Sequence, residues 1–103
     1  MKNNQSSDQL NELFTLFASI KSPDEIARFM KDLCTPQEIK ALADRWQICK
    51  LLHQGELSYR DINQLTGVSL ATITRVARFL KNEPYHGYIL ALNKIKRNKK
   101  INK

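Results

Sequence analysis

The sequence predicts an all-α protein, a small helical bundle, and three observations carry that reading. Apolar residues recur at spacings of three and four along most of the chain. Helix-start signals recur as well, since "SPDE" and "TPQE" each place a capping hydroxyl, a proline and an acid in order. The 103 residues hold no alternating strand pattern, no hairpin dipeptide and no internal repeat. That length suits one domain with a modest core.

In chain order, "DQLNELFTLFASI" sets Leu10, Leu13, Phe14 and Phe17 at helical spacing. In "KSPDE", Ser22 caps, Pro23 fits the first helical position and Glu25 closes a capping box, opening a short helix with Ile26, Phe29, Met30 and Leu33. In "CTPQE", Thr35, Pro36 and Glu38 repeat the signal. The longest helix follows in "PQEIKALADRWQICKLLHQ", with Ile39, Leu42, Trp46, Cys49 and Leu52 as its inner stripe and Gly55 as a left-handed stop. Leu16, Ile20, Ile48 and Leu51 extend the stripes sideways. That is more apolar surface than a monomer of this size covers, which predicts a helical homodimer. A last helix is expected over about Tyr88–Ile95, and residues 97–103 form a basic tail expected to be flexible. The expected domain is therefore residues 1–96, with a helix-turn-helix at about 58–82.

Composition narrows the function classes. No run of about 18 apolar residues exists, and "MKNNQSSDQ" is not a signal peptide; a cytoplasmic protein with no membrane partner is expected. Cys34 and Cys49 lie 15 apart without metal-ligand spacing, and read as reduced, buried thiols. The two cysteines and the two histidines fall in unrelated places, so no catalytic constellation and no metal site are expected. The net charge of +7 is unevenly spread. Residues 1–57 carry 7 basic and 8 acidic side chains, while residues 58–103 carry 10 basic and 2 acidic. All the excess positive charge sits in the second half, which points to a polyanionic partner, nucleic acid ahead of anionic membrane.

The stretch "GELSYRDINQLTGVSLATITRVARFLKNEP" opens that half. Ser58 caps a helix over about Tyr59–Leu65 that buries Ile62 and Leu65, Gly67 permits a left-handed turn, and Ser69 caps a second helix that buries Ile73, Val76 and Leu80. With Val68 plugging the corner, this is a helix-turn-helix. The second helix presents Leu70, Ala71, Thr72, Thr74, Arg75 and Arg78 outward. Short side chains allow close approach to a major groove, Thr and Ala methyls meet thymine methyls, and arginine reaches guanine. Ser58, Tyr59, Arg60 and Lys81 are placed to hold phosphates. Asn63, four before the glycine, stands where a small residue is usual. No strand pair follows, which excludes a winged version.

"LCTPQEIKALADRWQICKLLHQGELSYRDINQLTGVSLATITRVARFLKN", about residues 33–82, resembles the Trp repressor family, especially its Trp-repressor-like (YerC/YecD-type) branch. "LCTPQE", "LLHQGELSYR" and "ATITR" are the specific pieces. The resemblance implies an intertwined homodimer whose two reading heads enter successive major grooves of a symmetric operator in double-stranded DNA. It also implies that Arg60, Leu70, Ala71, Thr72 and Thr74 approach DNA, and that Arg75 serves DNA and effector together. Asn63 stands where a lysine contacts DNA in the best-known member. Tryptophan in that family lies between the counterparts of Arg45 and Arg75, with the carbonyl of the Thr35 counterpart taking part. Here Val76 replaces the glycine that makes room for the indole, and Phe79 replaces the serine that meets the amino group. Tryptophan is therefore not expected to bind; the site is self-filled or takes a different small-molecule co-effector. The expected function is a sequence-specific transcriptional regulator, a repressor. Two other readings stay open: a protein-interaction module, and a DNA binder that reads shape and backbone only.

Overall fold

A computed structural model describes the backbone of residues 2–101 and the side chains of residues 6–97. Six helices account for it: α1 Lys2–Ser19, α2 Pro23–Leu33, α3 Pro36–Gln54, α4 Tyr59–Thr66, α5 Leu70–Lys81 and α6 Gly87–Ile101. No strand occurs among the described residues. The all-α expectation is met, and the starts of α2 to α5 lie where the capping residues put them. The ends of the chain differ. The helix α1 begins well before Leu10, the first residue of its apolar stripe, and α6 continues past Ile95 into the lysine- and arginine-rich segment expected to leave the helix. Lysine and arginine are good helix formers, and a search for apolar periodicity cannot see a helix that has no apolar face.

The chain divides into two compact units, Met1–Ile39 and Lys40–Lys103. In the first, the Ser22 hydroxyl oxygen accepts from the Glu25 N–H at 3.3 Å to start α2. The start of α3 is a complete capping box. Glu38 N–H donates to the Thr35 Oγ1 at 3.1 Å, and Thr35 N–H donates to the Glu38 carboxylate at 2.8 Å. Hydrogen bonding from the Thr35 backbone N–H first, and from the Thr35 side chain second, holds the exposed Glu38 carboxyl below the usual carboxylate range. Phe17 and Phe29 meet edge to face, 5.4 Å between centroids. None of the described side chains of this unit is buried; Leu10, Phe14, Leu16 and Leu33 are exposed.

The second unit has the core. Ile48, Cys49, Ile62, Val68, Ile73, Val76 and Leu80 form one buried cluster, with Trp46, Leu57, Tyr88, Ile89 and Leu92 packed against it. The helix α5 contributes Ile73, Val76, Ala77 and Leu80, the spacing read from its sequence plus one alanine. Three expectations are corrected. Ile48, read as sideways surplus, is fully buried, whereas Leu42 of the supposed inner stripe is exposed. The buried face of α3 is rotated from the predicted one, because adjacent apolar positions fit several stripes and only packing selects one. Leu65 is 66% exposed rather than buried, whereas Val68 is buried at the corner as expected; α4 ends one residue later than read. Cys34 is half-buried, while Cys49 is buried and burial pushes its thiol pKa up.

Candidate nucleic-acid interface and adjoining cavity

The corner between α4 and α5 is built from short-range bonds. Asp61 N–H donates to the Ser58 Oγ at 3.0 Å, starting α4. Gly67 closes it at φ 75°, its N–H donating to the Asn63 carbonyl at 2.8 Å. An L side chain is strained in that left-handed region, so glycine belongs there. Two side chains then fasten the turn. The Thr66 hydroxyl donates to the Ile62 carbonyl at 2.7 Å and accepts from Val68 N–H at 3.1 Å. The Asn63 amide donates to the Val68 carbonyl at 2.7 Å, part-buried. Finally, Thr72 N–H donates to the Ser69 Oγ at 3.1 Å, and the Ser69 hydroxyl to the Thr72 Oγ1 at 3.1 Å, starting α5.

Nearly all the residues singled out for the outer surface lie there. Ser58, Tyr59, Arg60, Leu70, Ala71, Thr74, Arg75, Arg78 and Lys81 are exposed, and Thr72 is half-buried. Asn63 is the exception. Its amide is committed to the corner, which gives a structural reason for asparagine at a position expected to be small. Arg78 is also engaged: its Nε lies 3.2 Å from the Glu83 carboxylate just past the helix end.

Beside this face, within the same unit, is a cavity of about 430 Å³ lined by Arg45, Trp46, Arg75, Phe79, Tyr85, Gly87, Tyr88 and Ala91. Arg45 and Arg75 do come together at one site. Asp44, the neighbour of Arg45 in sequence, is bound by Lys40 at 2.9 Å. Burial pushes the Tyr88 phenol pKa up, while Arg45 and Arg75 pull it partly back. The expectation that Val76 and Phe79 jointly fill this space is corrected. Val76 is 1% exposed, turned into the core, and does not line the cavity. Phe79 forms a wall and leaves room beside it. Thr35 belongs to the other unit, where it caps α3. The aromatic lining from Trp46, Tyr85 and Tyr88 was missed by sequence reasoning; "PYHGY", two tyrosines around a left-handed His86 at φ 56°, was its available signal.

An all-α chain whose C-terminal unit is organised around a bonded helix-turn-helix, with two arginines and an aromatic wall beside it, is a helix-turn-helix protein by class. Residues 8–96 match the family described as Trp repressor protein. The chain is 41% identical over 88 residues to the uncharacterized protein YerC of Bacillus subtilis, covering 85% of this chain and 83% of that one. It is 40% identical over 72 residues to a Trp operon repressor homolog of Aliivibrio salmonicida, covering 70% and 67%. The crystal structure of a TrpR-like protein from Eubacterium eligens superposes with a TM-score of 0.81 at 34% identity, covering 91% of this chain and 95% of that one. The chain belongs to the Trp repressor family.

Proposed function

We propose that this protein is a cytoplasmic, non-enzymatic, dimeric DNA-binding regulator, a repressor, that reads a symmetric operator with the outer face of α5. One observation carries the reading. Ala71, Thr72 and Thr74 give a capped helix a face of short side chains with Arg75 beside them, held by a hydrogen-bonded corner in the basic half of the chain. Such a face suits a major groove, with Arg60 and Lys81 on flanking phosphates. Asn63 commits one amide N–H to the corner, and its second N–H and amide oxygen are what it has to offer DNA. The absence of any buried side chain among those described in the first unit supports the dimer, since an apolar surface of that kind needs a partner to cover it. The family and the relatives named as repressor homologs support the regulatory role. Among the described residues no helix is long and apolar enough to cross a membrane. Tryptophan is not its effector in this reading: Phe79 forms part of the cavity wall at the position where the family has the serine that meets the ligand's amino group.

The test is selection from a pool of random duplex DNA at moderate salt, with sequencing of what is retained. A two-fold symmetric motif with half-sites about one helical turn apart is the expected result. An unstructured pool, or none retained, would refute the sequence-specific reading and bring forward a protein-interaction role.

A further inference from the structure

The face of α5 that carries Arg75 and Arg78 also carries Phe79, and the three side chains are stacked. The guanidinium carbon of Arg75 lies 4.4 Å from the centre of the Phe79 ring, and that of Arg78 lies 5.1 Å from it. The ring is backed in turn by Tyr85, nearly parallel at 9° with 6.3 Å between centroids. A cation over an aromatic face is drawn to the ring quadrupole, and the flat, weakly hydrated guanidinium suits that stacking. Arg78 has a second holder in Glu83. Arg75 has no ion-pair partner among the described residues, so Phe79 is what fixes it.

We infer that Phe79 is a positioning residue for the reading head, holding Arg75 and Arg78 by ring stacking so that α5 is set for DNA with no small molecule bound. The inference rests on the DNA reading above and deepens it by assigning its regulation: the head is set by the chain's own residues and not by a co-effector. An unanchored arginine gives up its rotamer freedom when it docks, whereas a stacked one has given up much of it beforehand. Phe79 is half-buried, at the surface rather than in the core, so replacing it leaves the packed cluster intact.

The test compares wild type, Phe79→Leu and Phe79→Tyr, each unfolded in denaturant, dialysed and refolded to strip any small molecule. Leucine keeps apolar bulk without a ring face; tyrosine keeps the face. The readout is the ratio of affinities for the selected duplex and a scrambled one. Stripped wild type and the tyrosine variant should discriminate alike, and the leucine variant should lose about five- to ten-fold in that ratio. Without DNA, the Arg75 side-chain protons should show a ring-current upfield shift in wild type and Phe79→Tyr that disappears in Phe79→Leu. Full discrimination by the leucine variant overturns the inference. So does a stripped wild type that needs tryptophan or a cell-extract filtrate to discriminate. A missing ring-current shift overturns it while the DNA reading stands. If wild type prefers no duplex at all, the DNA reading falls and the inference falls with it.

Discussion

Replacing Asn63 examines the corner on which the reading head depends. Its amide donates to the Val68 carbonyl at 2.7 Å in a part-buried setting. No other donor to that carbonyl is present among the described residues. Asn63→Ala removes the bond and leaves the carbonyl to whatever water reaches it, a loss of about 1–2 kcal/mol. Alanine is the better helix former by about 0.6 kcal/mol, which offsets part of this. The net destabilisation should be about 0.5–1.5 kcal/mol. Asn63→Asp separates shape from bonding, because aspartate has the same outline but, when ionised, turns an acceptor toward another acceptor. Its cost should exceed that of alanine, at about 2–3 kcal/mol near neutral pH. The introduced carboxyl regains a donor when protonated, so its folded pKa is raised above its unfolded one. The deficit should therefore shrink as pH falls through that raised value and be full above it. Urea unfolding followed by circular dichroism, at one fixed protomer concentration, measures both variants. An aspartate variant no less stable than the alanine variant at neutral pH would refute the assigned bond.

Gly67→Ala should cost about 1 kcal/mol, since φ is 75° and an added Cβ would meet nothing within 4 Å; a loss of several times that in urea unfolding would mean the corner rearranges. The lowered Glu38 pKa predicts a stabilising contribution that is present above the ordinary glutamate value and lost as pH falls through the folded one. Glu38→Gln should remove that segment of the acid-unfolding profile, and an unchanged profile would contradict the capping box. Thr72→Ala or Arg75→Ala should weaken binding to the selected duplex by about 1–3 kcal/mol in competition assays. Unchanged site preference in both would remove the assigned face. Calorimetric titration with tryptophan should give no saturable heat, and saturable binding at micromolar levels would overturn the reading of Phe79 and the cavity.

What the sequence disclosed is what short-range chemistry decides. Ser22, Thr35, Ser58 and Ser69 start helices because a hydroxyl can meet an amide three residues on, and Gly67 ends one because of its backbone freedom. The helix α5 was legible whole, being short, capped and strongly one-sided. What stayed hidden depends on packing between segments. Nothing local tells α3 to bury Ile48 rather than Leu42, or α4 to expose Leu65 while Ile62 is buried. The Asn63 amide reaches five residues ahead, across a turn whose geometry must exist first. Val76 and Phe79 were both assigned to the cavity from the family pattern. A rotation of three residues along α5 sends one into the core and leaves the other in the wall. The stack of Phe79 on Tyr85 needs a loop conformation, with His86 at positive φ, that composition does not reveal.

The corner also divides labour among positions. Ile62, Asn63, Thr66, Gly67, Val68, Ile73, Val76 and Leu80 make the architecture. Ala71, Thr74 and Arg75 are exposed and contribute almost none of its buried contacts, while Thr72 gives it a backbone amide that any residue supplies and an Oγ1 that accepts from Ser69. Substitutions on the outward set can therefore accumulate without eroding the scaffold beneath. A duplicated gene could drift to a new target one exposed residue at a time, remaining folded at each step. The same separation makes the chain a practical starting point for engineering: a library randomised at those few positions would sample recognition while holding architecture constant.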